Sequence, residues 1–479
     1  MKGKHRGSAM VFKSITTIAK SIVKRNDATK RLVLRVYNQY QGRKAKKELY
    51  LRIKNIDFDE YIDTSNKPDL NVIILTVDCL RYLNLSFTGY QRETTPFMDS
   101  LKAKFRAVSA APWTYPSVAS ILTGLYPHNH NAYIHSKIKN FDTLKAFKPI
   151  KKSVLTLPEI LFAFGYEIYF GTAIDVASYP LKSRVVPKLY LGDTPAEELL
   201  NDLRKWISKR KNSFFAYLQL GDVHEPIVPP EKFRNYFGQV ENIPNIERWD
   251  FRRPEEQKGK EFEKYRRNRM LLYDNTLRYV DYAIERLYAF LEDSGLLDST
   301  ILLITADHGE EFWEHAELEA ENFYDPRGYY GVGHGHNVFN EIIEVPILFD
   351  GAIKKKGDFT ENRVSSVDIM PTVLDLLGVS HSLTFDGQNV FEVKNKKRPL
   401  LSEAAGYGYE KKALIMGRYK LLYAPDDGVQ WLFDLKKDPS EQHPIKDREV
   451  TSVFVDKLNK MLKEDEKRRL INALRKVRI

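Results

Sequence analysis

The 479 residues contain a single cysteine, Cys79. One thiol excludes an internal disulfide framework and suits a reducing compartment. No stretch approaches the ~20 consecutive apolar residues that cross a bilayer. No signal-type apolar core forms at the N-terminus either, because Lys13, Lys20 and Lys24 interrupt it. The expectation is a cytoplasmic protein, with membrane contact at most peripheral. Internal repeats, low-complexity tracts and recognisable nucleic-acid-binding modules are also missing. Acids are scarce in one place only. Residues 1–50 hold fourteen Lys/Arg against Asp27 and Glu48, whereas the other 429 residues hold 61 bases and 62 acids. The formal charge of +11 therefore describes an N-terminal appendage. A neutral body has no global field for a nucleic acid, so no such partner is expected.

What is present is a globular composition, 43% hydrophobic and 12% aromatic, which excludes a disordered chain. Within residues 1–68, Val11, Ile15, Ile18, Ile22 and Val23 mark one amphipathic helix over 11–24. Val33, Leu34, Val36, Tyr37 and Tyr40 mark a second, basic one over 28–50. Two readings stay open: peripheral contact with an anionic membrane through residues 11–50, or docking of the apolar faces on the body. From residue 69 to 378 short apolar runs alternate with helical stretches. NVIILTV (71–77), FFAYLQL (214–220), TILLIT (300–305) and VPILF (345–349) read as buried strands, while 153–164 and 271–297 read as helices. That alternation predicts an α/β domain on a mostly parallel sheet flanked by helices. Residues 229–268 read as an insertion at its rim. Residues 379–479 read as a smaller α+β subdomain with a terminal helix from about Val450.

The chemistry gathers where strands stop. NVIILTV runs into Asp78, FFAYLQL into Asp222 and His224, and TILLIT into Asp307 and His308; His334 and His336 precede VPILF. Ligands of open α/β sheets bind outside the carboxyl ends of the strands, so these groups should converge. Any one of these pairs could equally be a helix cap or a core salt bridge. Together, Asp and His at one rim form a ligand set for one or two divalent ions, zinc or manganese before calcium or magnesium. Thr114 opens the helical pattern of VASILTGL and reads as its N-cap. A hydroxyl there sits in a field that favours anions, and a metal bound to its oxygen would make it a nucleophile near neutral pH.

These segments resemble the sulfatase family of the alkaline-phosphatase superfamily. The resemblance is carried by VDCLRYLNLSFTGYQRETTPFMDSL (77–101), APWTYPSVASILTGLYPHNH (111–130), LGDVHEPIVPP (220–230), TILLITADHGEEFWEH (300–315) and GHGHNVFNEIIEVPILF (333–349). WLFDLKKDPSEQHP (431–444) extends it toward the C-terminus. It implies an alkaline-phosphatase-like domain plus a small C-terminal α+β domain. It also implies Asp78, Asp307 and His308 on the metal, Thr114 at the nucleophile position, and His224 and His334 at the ester group or on a second ion. Asp222 and His336 follow as helpers, and Glu310 continues the DHGE motif.

The departures point to the substrate. Family members that use formylglycine carry Cys or Ser at the nucleophile position, followed by x-Pro-x-Arg; here Thr114 and Val118 stand there. The basic residues of the sulfate-gripping pattern are also missing from Gly171-Thr172-Ala173-Ile174. An unmodified threonine suits metal-dependent hydrolysis of phosphate mono- or diesters through a phospho-threonine. Sulfate-ester hydrolysis without formylglycine, phosphotransfer, and non-catalytic binding of an anionic surface are the alternatives. The expected substrate is a small-molecule, glycan- or lipid-linked phosphate or sulfate ester.

Overall fold

The computed structural model describes residues 27–141, 147–395 and 397–476; the helix expected over 11–24 lies outside the described residues. A central sheet holds β1 (Asn71–Val77), β2 (Ala103–Val108), β3 (Glu167–Thr172), β4 (Pro187–Leu189), β5 (Phe214–Leu220), β6 (Thr300–Thr305) and β7 (Glu344–Gly351). Gly357–Asp358 and Val364–Ser365 add short edge segments to β2. The spatial order from that edge is β2, β7, β6, β1, β5, β3, β4. Every residue of β1, β5 and β6 is buried, as a sheet covered on both faces requires. The helices that concern the site are α1 (Asp27–Lys54), α2 (Thr114–Thr123), α3 (Leu157–Ala163), α4 (Ala196–Ile207), α5 (Gly259–Asp293) and α6 (Arg448–Lys476).

Register explains why the rim residues meet. Thr76 of β1 pairs with Thr305 of β6, and Val77 with Leu220 of β5. Asp78 and Asp307, each two residues on, leave the sheet level with one another. β7 is antiparallel to both its neighbours, so its amino end lies at the same rim. The loop carrying His334 therefore reaches the site from the start of a strand instead of the end of one.

β8 (Leu400–Ser402), β9 (Lys412–Met416), β10 (Tyr419–Ala424) and β11 (Val429–Asp434) form a separate antiparallel sheet in that order. Its alternation is visible in the packing. Leu414 and Leu421 face Phe454 and Leu458 of α6, while Ala413, Ile415 and Leu422 face Phe339 and Ile343 of the larger unit. The fold is α/β with a largely parallel central sheet flanked by helices, followed by this smaller α+β unit.

One element differs from expectation, and for another the structure takes up one of the two readings left open. α5 begins at Gly259, inside the supposed insertion. Phe262, Tyr265, Asn268, Arg269 and Leu272 are buried at helical spacing, interleaved with the charged Glu263, Lys264, Arg266 and Arg267. α1 docks on the body: Asn38 Nδ2 donates to the Leu189 carbonyl (2.8 Å) and Leu189 N to Asn38 Oδ1 (3.1 Å). Arg52 pairs with buried Glu159 and donates to the Lys152 and Val154 carbonyls. No helix among the described residues is long and apolar enough to cross a membrane.

Candidate active site

Thr114 is the first residue of α2, and Trp113 takes the cap position with extended backbone angles. A capping Thr114 would have tied its hydroxyl to a backbone amide; as the first helical residue it instead points at the rim carboxylates. Its Oγ1 lies 3.3 Å from Asp78 Oδ2 and 3.2 Å from His308 Nε2. His308 Nδ1 donates to the Gly309 carbonyl (2.8 Å), which leaves the Nε2 lone pair facing Thr114 and both carboxylates, each 3.5 Å away. Gly309 is required there, since a Cβ would sit 2.0 Å from the Glu341 carbonyl oxygen.

His224 and His334 complete the group. His224 Nδ1 donates to the Glu225 carbonyl (2.6 Å), and His334 Nδ1 meets Glu310 Oε1 at 2.9 Å. Each ring is thus held by one nitrogen and presents the other. The rings of His308 and His334 are 4.2 Å apart, and those of His224 and His334 5.3 Å. Six of the expected residues, Asp78, Thr114, Asp307, His308, His224 and His334, are brought together.

Two are not. Asp222 accepts the backbone N–H of Ala196 at 2.9 Å and holds the start of α4. Burial pushes its carboxyl up to about 7. His336 turns away from His334 across Gly335, whose φ of +81° reverses the chain. Its Nε2 lies between Glu311 (3.0 Å) and Glu319 (3.2 Å) in a separate buried charge cluster. Neither reaches Thr114.

Gln219 was not anticipated. Its Nε2 donates to Asp78 Oδ2 (2.8 Å) and Asp307 Oδ2 (2.9 Å), and Tyr217 O–H donates to its Oε1 (2.5 Å), fixing the amide. One polar residue inside the otherwise apolar β5 was the available signal. Cys79 also enters the cluster, with Sγ 3.2 Å from Asp78 Oδ1 and 3.5 Å from His334 Nδ1. Burial, with Glu310 and Asp78 nearby, keeps its thiol well above the ordinary range.

Asp78, Asp307 and His308 offer donor atoms within 4.8 Å of one another, all fully buried. Burial, followed by the charge of Asp78, pushes the Asp307 carboxyl well up. Burial holds His308 neutral, down to about 3. Two facing carboxylates bridged by a single amide, with a neutral imidazole beside them, fit a divalent cation.

Thr114, His224 and His334 of this cluster line a pocket of about 890 Å³, walled by aromatic and apolar side chains such as Trp113, Tyr190, Trp249 and Tyr407. Leu34 and Tyr37 of α1 also line this pocket.

The model of the Sulfatase family matches residues 70–379, and one described as N-sulphoglucosamine sulphohydrolase, C-terminal, matches residues 328–468. An extracellular sulfatase SULF-1 homolog of Drosophila melanogaster is 23% identical over 400 residues, 75% of this chain but 34% of that protein. The chain thus spans about a third of that relative's length. Arylsulfatase K of Bos taurus is 24% identical over 470 residues, covering 82% of each. Among solved structures, the phosphonate monoester hydrolase of Agrobacterium radiobacter superposes with a TM-score of 0.60 at 17% identity, covering 82% of this chain and 95% of that one. This last likeness is one of fold. With a family model spanning most of the α/β unit, and with the buried Asp–His cluster that lies inside the matched region, the chain belongs to the sulfatase family of hydrolases.

Proposed function

We propose that the protein hydrolyses phosphate mono- or diesters through the Thr114 hydroxyl. The observation that carries this reading is the nucleophile itself, an unmodified threonine within 3.3 Å of both Asp78 and His308. Threonine is a secondary alcohol, so oxidation would yield a ketone, not the aldehyde of formylglycine. Asp78, Asp307 and His308 would hold one divalent ion, with His224 and His334 available to a second. When bound, such an ion favours the alkoxide of a coordinated hydroxyl and offsets the charge developing on the ester oxygens.

The chain's own residues supply the rest. Thr114 Oγ attacks phosphorus, and its bond to phosphorus forms as the bond to the leaving oxygen breaks. The Thr114 hydroxyl donates toward Asp78 Oδ2, whose carboxylate keeps a free lone pair even beside a cation, whereas the one lone pair of His308, at Nε2, is the one a cation would take. His224 and His334, each anchored by one ring nitrogen, have the other free to pass a proton from solvent to the leaving oxygen, a role that either ring gives up where it holds a second ion. Water then cleaves the phospho-threonine and restores the hydroxyl. Aromatic walls suit a sugar or another flat, partly apolar leaving group.

Sulfate-ester hydrolysis is the second reading, favoured by the relatives, which are named as sulfatases. A panel of aryl phosphate, bis-aryl phosphodiester, phosphonate and aryl sulfate, run with zinc and with manganese, separates the two. Thr114→Ala should lose at least about a thousandfold in kcat on the best substrate while still binding metal. Full retention of activity would remove Thr114 as nucleophile.

The outer face of α1 supports a further reading, peripheral contact with an anionic surface. Arg43, Lys44, Lys46 and Lys47 are exposed there beside Tyr40, Tyr50 and Leu51.

A further inference from the structure

One wall of the pocket carries arginines that the hydrolytic step does not use. Arg327 is neutralised by Asp325 (2.6 Å), and Arg248 lies 3.5 Å from Glu225. Arg252 differs: its Nε and Nη2 donate to the Trp249 carbonyl (2.8 and 2.6 Å), and its guanidinium packs 5.1 Å from the centre of the Tyr329 ring. No carboxylate among the described residues forms an ion pair with it.

The segment that presents these arginines is pinned almost residue by residue. Arg269 donates to the Ile246 carbonyl, Ile227 N to Glu247 O, Tyr265 O–H to Arg248 O, and Trp249 N to Glu225. Trp313 and Gln257 both donate to Phe251 O, and Tyr330 N to Arg252 O. A guanidinium on so fixed a backbone has lost its ordering cost before any ligand arrives. Arg248, Trp249, Arg252 and Tyr329 also border a second hollow of about 550 Å³, which adds Arg253 together with Asp250 and Glu256, so that three guanidinium groups face two carboxylates there. The arginine pair thus forms a ridge between the hydrolytic pocket and an adjoining groove. The body has no net positive charge, so this ridge is a local device.

We propose that Arg252, seconded by Arg248, is a subsite for a second anionic group on the substrate, a sulfate or phosphate carried beside the ester being cleaved. This rests on the reading of the pocket as an ester-hydrolase site. Planar, always-charged guanidinium suits tetrahedral oxyanions. The substrate class is therefore an oligo-anionic glycan or a comparable multiply esterified molecule. A singly charged ester would leave the ridge unused.

Binding without turnover tests it. The Thr114→Ala protein, loaded with zinc or manganese, is titrated by calorimetry with unsaturated heparin disaccharides bearing one, two or three sulfates. Glucose 1-phosphate against glucose 1,6-bisphosphate forms the phosphate arm. At least one arm should show a tenfold or greater gain with the second anionic group, and the arm that does identifies sulfate or phosphate. Adding Arg252→Gln should erase that gain, while Arg252→Lys keeps part of it. Arg248→Gln, on a side chain more than half exposed, provides the same readout if Arg252→Gln does not fold. Equal affinity across both arms, or a gain that survives both Gln variants, would overturn the subsite. A failed nucleophile would show instead in the kinetics of Thr114→Ala, so the two failures are distinguishable.

Discussion

Gln219 shows how much of the site rests on one side chain. Among the described residues its amide is the one side-chain N–H donor shared by Asp78 and Asp307, and Tyr217 fixes which way it faces. Gln219→Leu preserves shape but removes the bridge. Zinc or manganese affinity, measured by titration, should fall about 10–100-fold, the usual cost of losing a partner that orients metal ligands. Unchanged affinity would mean that the amide does not orient the carboxylates. His130 makes a different residue-scale case. It is fully buried, accepts Ala132 N–H at Nδ1 (3.0 Å) and meets Ser120 Oγ at Nε2 (3.0 Å). Burial drives it down to about 3. As pH falls below the ordinary histidine value, the unfolded chain binds a proton that the native one refuses. Stability is therefore present above about pH 6.5 and is lost below it, at about 1.4 kcal/mol per pH unit. Between about pH 7 and pH 5, His130→Gln should flatten the loss seen in urea unfolding by about 2 kcal/mol. An unaltered pH profile would contradict a neutral buried His130.

Among the elements, α1 takes the docking role that its sequence left open, and the membrane role rests on the proposal tested below. One face is tied to the body through Asn38, Glu48 and Arg52, while Leu34 and Tyr37 line the pocket. The opposite face is basic with exposed tyrosines. Replacing Arg43, Lys44, Lys46 and Lys47 by Glu should weaken binding to phosphatidylserine vesicles by about 1 kcal/mol per residue. The melting temperature should hold, because none of the four makes the docking contacts. Vesicle binding that ignores the reversal would leave docking as the helix's only role. Strands and their rim residues were legible because buried parallel strands announce themselves as unbroken apolar runs, and level register carries Asp78 and Asp307 to one place. His224 and His308 followed from the same logic, whereas Thr114 came from a helix start and the family resemblance, and His334 from the loop that precedes β7. Asp222 and His336 were not legible in this way, since adjacency in sequence does not say which way a chain turns: the start of α4 captures one, and the reversal at Gly335 removes the other. The early start of α5 was hidden because its buried positions are interleaved with charge.

At the scale of the whole molecule, the basic charge and the hydrolytic site are separable. Outside residues 1–50 the chain is close to neutral, so a small ester should be drawn in by local charge at the site, not by a long-range field. Raising salt from about 0.05 to about 0.5 M should change kcat/KM for an aryl ester by less than about threefold, while vesicle binding collapses as the Debye length shortens. A steep salt slope for the small ester would tie the appendage to catalysis. The smaller sheet packs Ile415 and Leu422 against Phe339 and Ile343, just before β7, so the loop bearing His334 is braced from both units. In the proposed reaction Thr114 becomes covalently attached to the group being transferred. Acid quenching during turnover of the best aryl ester, followed by peptide mass spectrometry, tests it most directly. The account predicts phosphate on Thr114 in the wild-type protein and none in Thr114→Ala. Turnover with no modified Thr114, or with the label on another residue, would contradict it.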